Sequence, residues 1–417
     1  MRIIDRLNIG GPAKHVIWLT ARLDPSQFES VLITGAVAPG EGDMSYFARA
    51  AGITPVVIGE MGRELGMRDI VVIAKLVYQL WRIKPHIVHT HKSKAGAAGR
   101  IAAIIYRWAT VSALWLSPRP CRIVHTYHGH TFHGYYGPAK TRLFIGIEQA
   151  LAHVTDRILA ISERQRSEIL ERFRVGRKSQ FRVVPLGTDL AVEPPQRGCL
   201  RRQIGASDDE AVVGIVGRLT EVKNHAMFLE AAAAMVGPKC EPRLNARFVI
   251  IGDGHLRGEL ERLSRRLGIE DRVFFTGFRE DVMSLYFDLD LVVLTSLNEG
   301  TPLTLIEALA CGRAVAATEV GGIADLMGAH QGSLWGFSIW DNGVSVPGGD
   351  AETFARAVEF LIQRPDLRRQ MGERGRAFVT SRLSIERLIS DISELYQDLM
   401  RVEAVPPPAA EAAVKSQ

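Results

Sequence analysis

The sequence predicts an α/β protein built as two Rossmann-like, doubly wound parallel-sheet lobes facing each other across a cleft. Three observations carry that expectation. Short apolar stretches alternate with amphipathic stretches of helical period, the pattern of a parallel sheet covered by helices. The series is broken once, by Pro185-Leu-Gly-Thr-Asp189 and the segment on to Pro195, and then begins again with the same rhythm. A chain of 417 residues also exceeds one ordinary core. The expected division is a first lobe at 1–188, a second at 189–380, a closing helix at 381–401 and a tail at 402–417. The tail holds Pro406-Pro-Pro408 and several alanines, has little to bury and is expected to be disordered.

Bulk properties exclude several classes. Hydrophobic residues at 47% and charged residues at 23% are those of a soluble globular chain. The net charge is only +5 and arginine is scattered, so no nucleic-acid partner is expected. Cys121, Cys199, Cys240 and Cys311 stand far apart with no C-x-x-C pair, which fits a reducing cytoplasm. No stretch reads as a signal peptide or a membrane span. The first strand begins almost at Met1, so a few further residues are expected before it.

In the first half, Arg2–Leu7 reads as a strand, Asn8-Ile-Gly10-Gly11-Pro12 as a turn, and Ala13–Leu23 as a helix. A strand, glycine turn and helix place backbone N–H groups near a phosphate, although most Gly-Gly pairs simply make a tight turn. Further strands are expected at Ser30–Ile33, Pro55–Ile58, His86–Thr90 and Arg122–Thr126, with a helix at Asp69–Ile83. Two strand ends are rich in histidine: His86, His89 and His91, then His125, His128, His130 and His133. Zinc is a rival explanation, but strand side chains alternate faces and no Cys or acidic cluster joins them. Residues 101–118 are apolar, with Trp108 and Trp115 interrupted by Arg107. Two readings compete there: a core helix with a surface insertion, or an interfacial membrane contact with tryptophan at headgroup depth. A helix at Arg142–Ala152 and strands at Arg157–Ile161 and Phe181–Pro185 complete the half; Ser162 with Gln165 has capping-box spacing.

In the second half, strand Ala211–Val216 runs into Gly217-Arg218-Leu219 and on to Lys223, then a helix from His225 to Ala234. Arg218 and Lys223 follow a strand end, where two cations beside a diphosphate would stabilise a leaving group. Strand Arg247–Gly252 ends in Gly252-Asp253-Gly254, and strand Phe274–Phe278 precedes Arg279. Asp288-Leu-Asp290 opens a buried strand and is read as structural rather than as a metal motif. After strand Ala314–Ala317, Gly321-Gly322 turns toward the cleft. Gly332–Gly343, with Trp335 and Trp340, reads as an irregular excursion, followed by helices at Asp350–Gln363, Pro365–Val379 and Ser384–Arg401.

The chain is organised around Leu294–Ala317. An apolar strand ends at Leu294, a polar loop runs from Thr295 to Gly300, and a helix follows with Thr301 as its N-cap, Pro302 as its first residue and Gly312 as its stop. The helix is apolar almost all round, yet holds Glu307; a buried carboxylate without a partner loses its hydration. Glu299 lies in the loop before it, and the free N–H groups of Leu303 and Thr304 form an anion site. The set suits a polyhydroxylated ligand carrying phosphate.

Glu299 and Glu307, with seven residues between them, resemble the E-x7-E motif of retaining glycosyltransferases of the GT-B fold, family 4. His128-Gly-His130-Thr-Phe132 resembles the family's HGH-x-F segment, and Gly217-Arg218 with Lys223 its phosphate-binding pair. The three groups fall in the family's order over nearly the whole chain. The resemblance implies a metal-independent enzyme without cofactor that moves a sugar from a nucleotide-sugar donor, most plausibly a UDP-sugar, to a glycan or polyprenyl-linked acceptor in cell-envelope or exopolysaccharide synthesis, on the cytoplasmic side and with a peripheral membrane contact through 101–118. It implies that Glu307 holds the ribose, Arg218 and Lys223 the diphosphate, and that Glu299 and His128 orient the sugar. Gly10 and Gly11 would face the phosphates, Phe278 or Arg279 would border the base, and Gly300 to Thr304 would line the donor. The last helix would cross back onto the first lobe. Two rivals remain: a nucleotide-sugar 2-epimerase of the same fold, and a non-catalytic nucleotide-sugar-binding protein. A dinucleotide oxidoreductase is disfavoured, because neither glycine turn supplies G-x-G-x-x-G with a downstream acid.

Overall fold

The computed structural model describes residues 1–38, 42–62, 66–110, 117–129, 137–190 and 198–401. The tail at 402–417 lies outside them, as do Trp115, His130, Phe132 and His133. The first sheet contains β1 (Arg2–Arg6), β2 (Leu32–Gly35), β3 (Val56–Ile58), β4 (Ile87–His91), β5 (Arg122–Tyr127), β6 (Arg157–Ala160) and β7 (Phe181–Val183). All pairings are parallel and the order is β3-β2-β1-β4-β5-β6-β7. The second sheet contains β8 (Ala211–Val216), β9 (Ala246–Ile251), β10 (Val273–Gly277), β11 (Leu291–Leu294), β12 (Ala314–Thr318), β13 (His330–Leu334), β14 (Phe337–Trp340) and β15 (Gly343–Val346). Its order is β10-β9-β8-β11-β12-β15-β14-β13.

Both sheets reverse direction of growth beside their first strand, between β1 and β4 and between β8 and β11. Loops leaving the carboxyl ends at such a switch point diverge and leave a crevice. The glycine turn after β1, Lys92 after β4, Gly217-Arg218 after β8 and Thr295–Gly300 after β11 all issue from those two points. Central strands read as unbroken apolar runs because helices cover both faces: every residue of β11 and β12 is buried.

Several expectations shift by a residue or two at element ends. The first helix begins at Gly11, two residues early, with Pro12 in its first turn, where a missing N–H costs nothing. Ser162 caps its helix as expected, accepting from the Gln165 amide at 3.1 Å. One expected region is of a different kind. Residues 332–343 are not an irregular excursion but most of an antiparallel hairpin of β13 and β14 added to the sheet edge through β15. Its turn is Trp335-Gly336, both at positive φ (48° and 90°), as a two-residue hairpin turn demands. A tryptophan in that conformation, and a first strand, HQGSL, without β-branched residues, hid the signal.

The final helix, Ile385–Arg401, returns to the first lobe. Its apolar stripe, including Leu388, Ile392, Leu395 and Leu399, packs with Trp18, Leu19, Val124 and Leu159. The two chain crossings touch: Thr188 donates its N–H to the carbonyl of Leu383 (2.9 Å) and accepts from Ile385 N–H (3.0 Å). A Cβ on Gly187 would lie 2.7 Å from the Ser384 carbonyl oxygen, so the crossings are pressed together there. The helix is also pinned through Tyr396, whose hydroxyl sits 2.7 Å from Nδ1 of fully buried His89. Tyr396→Phe strands that nitrogen without this partner and is expected to cost about 1–3 kcal/mol, read as a lower urea midpoint at unchanged slope.

Candidate functional site

Glu307 is 4% exposed, in the second turn of the helix Leu303–Ala310. It does not lack a protein partner. The Lys14 ammonium, from the first lobe, pairs with Oε1, and the buried Tyr286 hydroxyl donates to Oε2 at 3.1 Å. Lys14 lies one turn along the helix that opens at Gly11. The two helices meet at their starts: a Cβ on Gly11 would stand 3.5 Å from the Cβ of Leu303. Gly10, at φ 154° and ψ 167°, holds a backbone conformation that essentially only glycine adopts, and so sets the glycine turn against the second lobe. The carboxylate singled out in the sequence therefore lies at the groove between the lobes, and the opposite lobe supplies its counter-charge.

The cap was misassigned. Thr301 is not the N-cap; Pro302 is, in an extended conformation and with no side chain capping the first turn. Proline at that position leaves the first amides of the helix without a side-chain acceptor, which suits an anion. The hydroxyl oxygen of Thr301 is buried with no hydrogen-bond partner among the described residues. Gly312 does follow the helix, at φ 69°, as a left-handed stop requires. The amide of Gly322 donates to the carbonyl of Gly300 at 2.7 Å, which ties the second glycine turn to the loop. Gly300 itself presses on the first lobe, since a Cβ there would come 2.6 Å from the carbonyl oxygen of His128.

Glu299 accepts from the Lys223 ammonium at 2.5 Å and from the Ser296 hydroxyl at 2.6 Å. The Lys223 side chain runs over Gly217, 3.7 Å from where a Cβ would stand. Exposed Arg218 lies near enough to Lys92 of the first lobe to act on its charge. Burial pushes the Lys92 ammonium pKa down, Arg6 and Arg218 add to that, and Asp5, 2.8 Å away, opposes it. Two acids and several cations thus face each other across the switch points of both sheets.

His128 joins a histidine group that sequence reasoning only partly found. Its Nε2 lies 3.0 Å from Nδ1 of His91, and its ring meets His15 edge-on at 4.8 Å. His15 was missed; its position directly after Lys14 in the helix leaving the glycine turn was the available signal. One nitrogen from each of His15, His91 and His128 lies within 4.8 Å of the others, the one such trio among the described residues able to hold a metal ion. Phe278 faces Tyr46 of the first lobe, ring centroids 6.2 Å apart. Arg279 is held instead by both carboxylate oxygens of Asp281 and by Gln203. Asp288 accepts from the Gly198 and Leu200 amides, and Asp290 from the Val212 amide and Arg201, the structural use expected of them.

Burial holds the imidazoles neutral. The pKa of His15 is lowered to about 3, first by desolvation and then by Arg2 and Arg387; His89, His91 and His128 are lowered well below the usual histidine range for the same leading reason. The unfolded chain protonates these groups near pH 6.5 while the folded chain resists it, so the unfolded state binds more protons in acid. Stability is full above about pH 6.5 and falls as pH drops toward the folded values, by about 2 kcal/mol at pH 5 from His15 alone. His15→Asn is expected to flatten that acid-side decline in a series of thermal melts between pH 7 and 5.

The profile of the Glycosyltransferase Family 4 matches residues 9–192, and that of Glycosyl transferases group 1 matches residues 197–378. The chain is 28% identical over 338 residues to the UDP-Gal:alpha-D-GlcNAc-diphosphoundecaprenol alpha-1,3-galactosyltransferase of Escherichia coli, covering 80% of this chain and 81% of that one. It is 28% identical to the D-inositol 3-phosphate glycosyltransferase of Salinispora arenicola over 79% of this chain and 72% of the other. Among solved structures, Anabaena HepE in complex with UDP-glucose superposes with a TM-score of 0.75 at 21% identity, covering 95% of this chain and 98% of that one. The sucrose-phosphate synthase of Thermosynechococcus elongatus gives the same score and identity over 96% and 98%. With its two halves matched in chain order and its two-lobed fold shared end to end, this chain belongs to the GT-B glycosyltransferases, in the family 4 and group 1 lineage.

Proposed function

We propose that the protein transfers a sugar, with retention of anomeric configuration and without a required metal, from a UDP-sugar to a glycan or polyprenyl-linked acceptor in envelope or exopolysaccharide synthesis. The carrying observation is Glu307: a carboxylate set in an apolar helix at the inter-lobe groove, balanced among the described residues by the Lys14 ammonium of the other lobe and the Tyr286 hydroxyl. In this reading the ribose hydroxyls take Glu307 from Lys14 when the donor enters. Arg218, Lys223 and the uncapped start of the 303–310 helix carry the diphosphate, and Phe278 borders the base. Glu299 and His128 orient the sugar. No covalent nucleophile is assigned, so transfer depends on positioning and on neutralising the leaving group. Closure of the lobes excludes water and limits hydrolysis. The E. coli relative's name supports the lipid-linked acceptor, and a protein acting on such an acceptor would work at the cytoplasmic face of the membrane.

Glu299→Ala and Lys223→Ala are each expected to lower kcat/KM by roughly 100-fold or more, while Glu307→Ala raises donor KM. Rates should be unchanged by EDTA, and product NMR should show the donor's anomeric configuration retained. Inversion, formation of a C2 epimer from donor alone, or full activity of Glu299→Ala would each overturn the reading.

A further inference from the structure

The outer face of the first lobe carries an apolar strip that the site does not use. Twelve large apolar side chains are conspicuously exposed among the described residues; seven of them sit on three neighbouring helices of one face and an eighth, Met67, just before the first of these. The helix Arg68–Ile83 contributes most. Val72, Leu76 and Leu80 on its inner side are fully buried, whereas Ile70 and Val71, then Tyr78 and Trp81, recur along its outer side at helical spacing, with Met67 just before it. Ile70 is 62% and Tyr78 63% exposed. The helix Ser93–Trp108 adds Ile105 and Trp108, and the helix Pro138–Ala152 adds Leu143. Single exposed apolar residues need no explanation, but a contiguous strip marks an interaction surface.

Charge says what kind. The first 188 residues hold 26 Lys and Arg against 13 Asp and Glu, net +13; the other 229 hold 25 against 33, net −8. The modest overall charge hides a basic lobe joined to an acidic one. On the strip's own face, Arg68 and Arg82 are exposed along the first helix, Lys84 just past its end and Arg142 beside Leu143, while exposed Lys75 pairs with Glu60. The Arg119 guanidinium lies 3.6 Å over the Trp81 ring, and Tyr106 meets that ring edge-on at 6.1 Å, so the aromatic end is braced. Among the described residues no helix is long and apolar enough to cross a membrane. An apolar, aromatic stripe edged by cations on a non-spanning helix suits the headgroup layer of an anionic bilayer.

We infer that the first lobe docks on anionic membrane through the outer face of the 68–83 helix, with Ile105 and Trp108 at its side. This rests on the reading of a lipid-linked acceptor and moves its membrane contact: of 101–118, the described residues Ile105 and Trp108 form the flank. The strip also reaches the site. Lys94, two residues beyond Lys92, pairs with Asp69 at 2.9 Å, which puts Ile70 and the start of the strip at the rim of the cleft. A bilayer seated there would present a lipid-borne phosphate beside the cationic groove.

The test is sedimentation of the full chain with vesicles of phosphatidylcholine, with and without phosphatidylglycerol. Binding is expected only to the anionic vesicles and should weaken at high salt. Ile70→Asp/Tyr78→Asp, on two exposed positions, is expected to lower binding roughly tenfold or more while leaving UDP release from UDP-glucose or UDP-galactose in solution unchanged. Three results would overturn the inference: no vesicle binding by the wild type, equal binding by the double variant, or salt-insensitive self-association that the double variant abolishes in place of vesicle binding. Lost vesicle binding with intact UDP release removes the docking face alone; intact vesicle binding without UDP release or transfer removes the functional reading.

Discussion

A carboxylate in an apolar helix must find a counter-charge, and Glu307 finds it in the other lobe. That constraint organises the structure. The helix carrying it is too apolar to face solvent, so it is buried against β11 and β12, and its first turn is driven up to the groove. The helix carrying Lys14 must then start close by, which requires the glycine turn at Gly10 and Gly11 to lie flat against Leu303. Two sheets with reversed growth at their first strands deliver both helix starts to one place, because loops at a switch point have nowhere else to gather.

The same geometry explains why cations and acids are mixed across the groove. Lys14 with Glu307 and Lys223 with Glu299 balance as pairs, while Asp5 is shared between Lys92 and Arg6. A groove of bare cations would repel its own walls, and the acids paired with them offset that repulsion. The neutral histidines beside it do different work. Buried and uncharged, they present hydrogen-bonding nitrogens without adding to the repulsion.

Most of the fold was legible in the sequence because parallel strands buried on both faces are unbroken apolar runs, as in Leu291–Leu294. The hairpin at 330–340 was not, since its first strand, HQGSL, is polar and its turn puts a tryptophan at positive φ. In the site, Glu307 announced itself as a charge in an apolar helix, whereas Glu299 and Lys223 stood out by their spacing within the motifs they resemble. Lys14 and His15 did not. They sit on an amphipathic helix where a lysine and a histidine look like surface residues; Lys14 finds its partner in a lobe nearly 300 positions away in the chain, and His15 packs against His91 and His128 from two other strand ends of its own lobe. Thr301 misled for a related reason: its side chain suits a cap, but Pro302 occupies the cap position.

The paired crossings at Thr188 and Leu383–Ile385 have a consequence of their own. The whole second lobe leaves and re-enters the first through adjacent backbone segments that share two hydrogen bonds. It is therefore topologically an insert, with its ends side by side on a scaffold formed by the first lobe and the returning helix. Such an insert can be exchanged as a unit, so recombination between relatives can pair one first lobe with a different second lobe while leaving the scaffold's core intact.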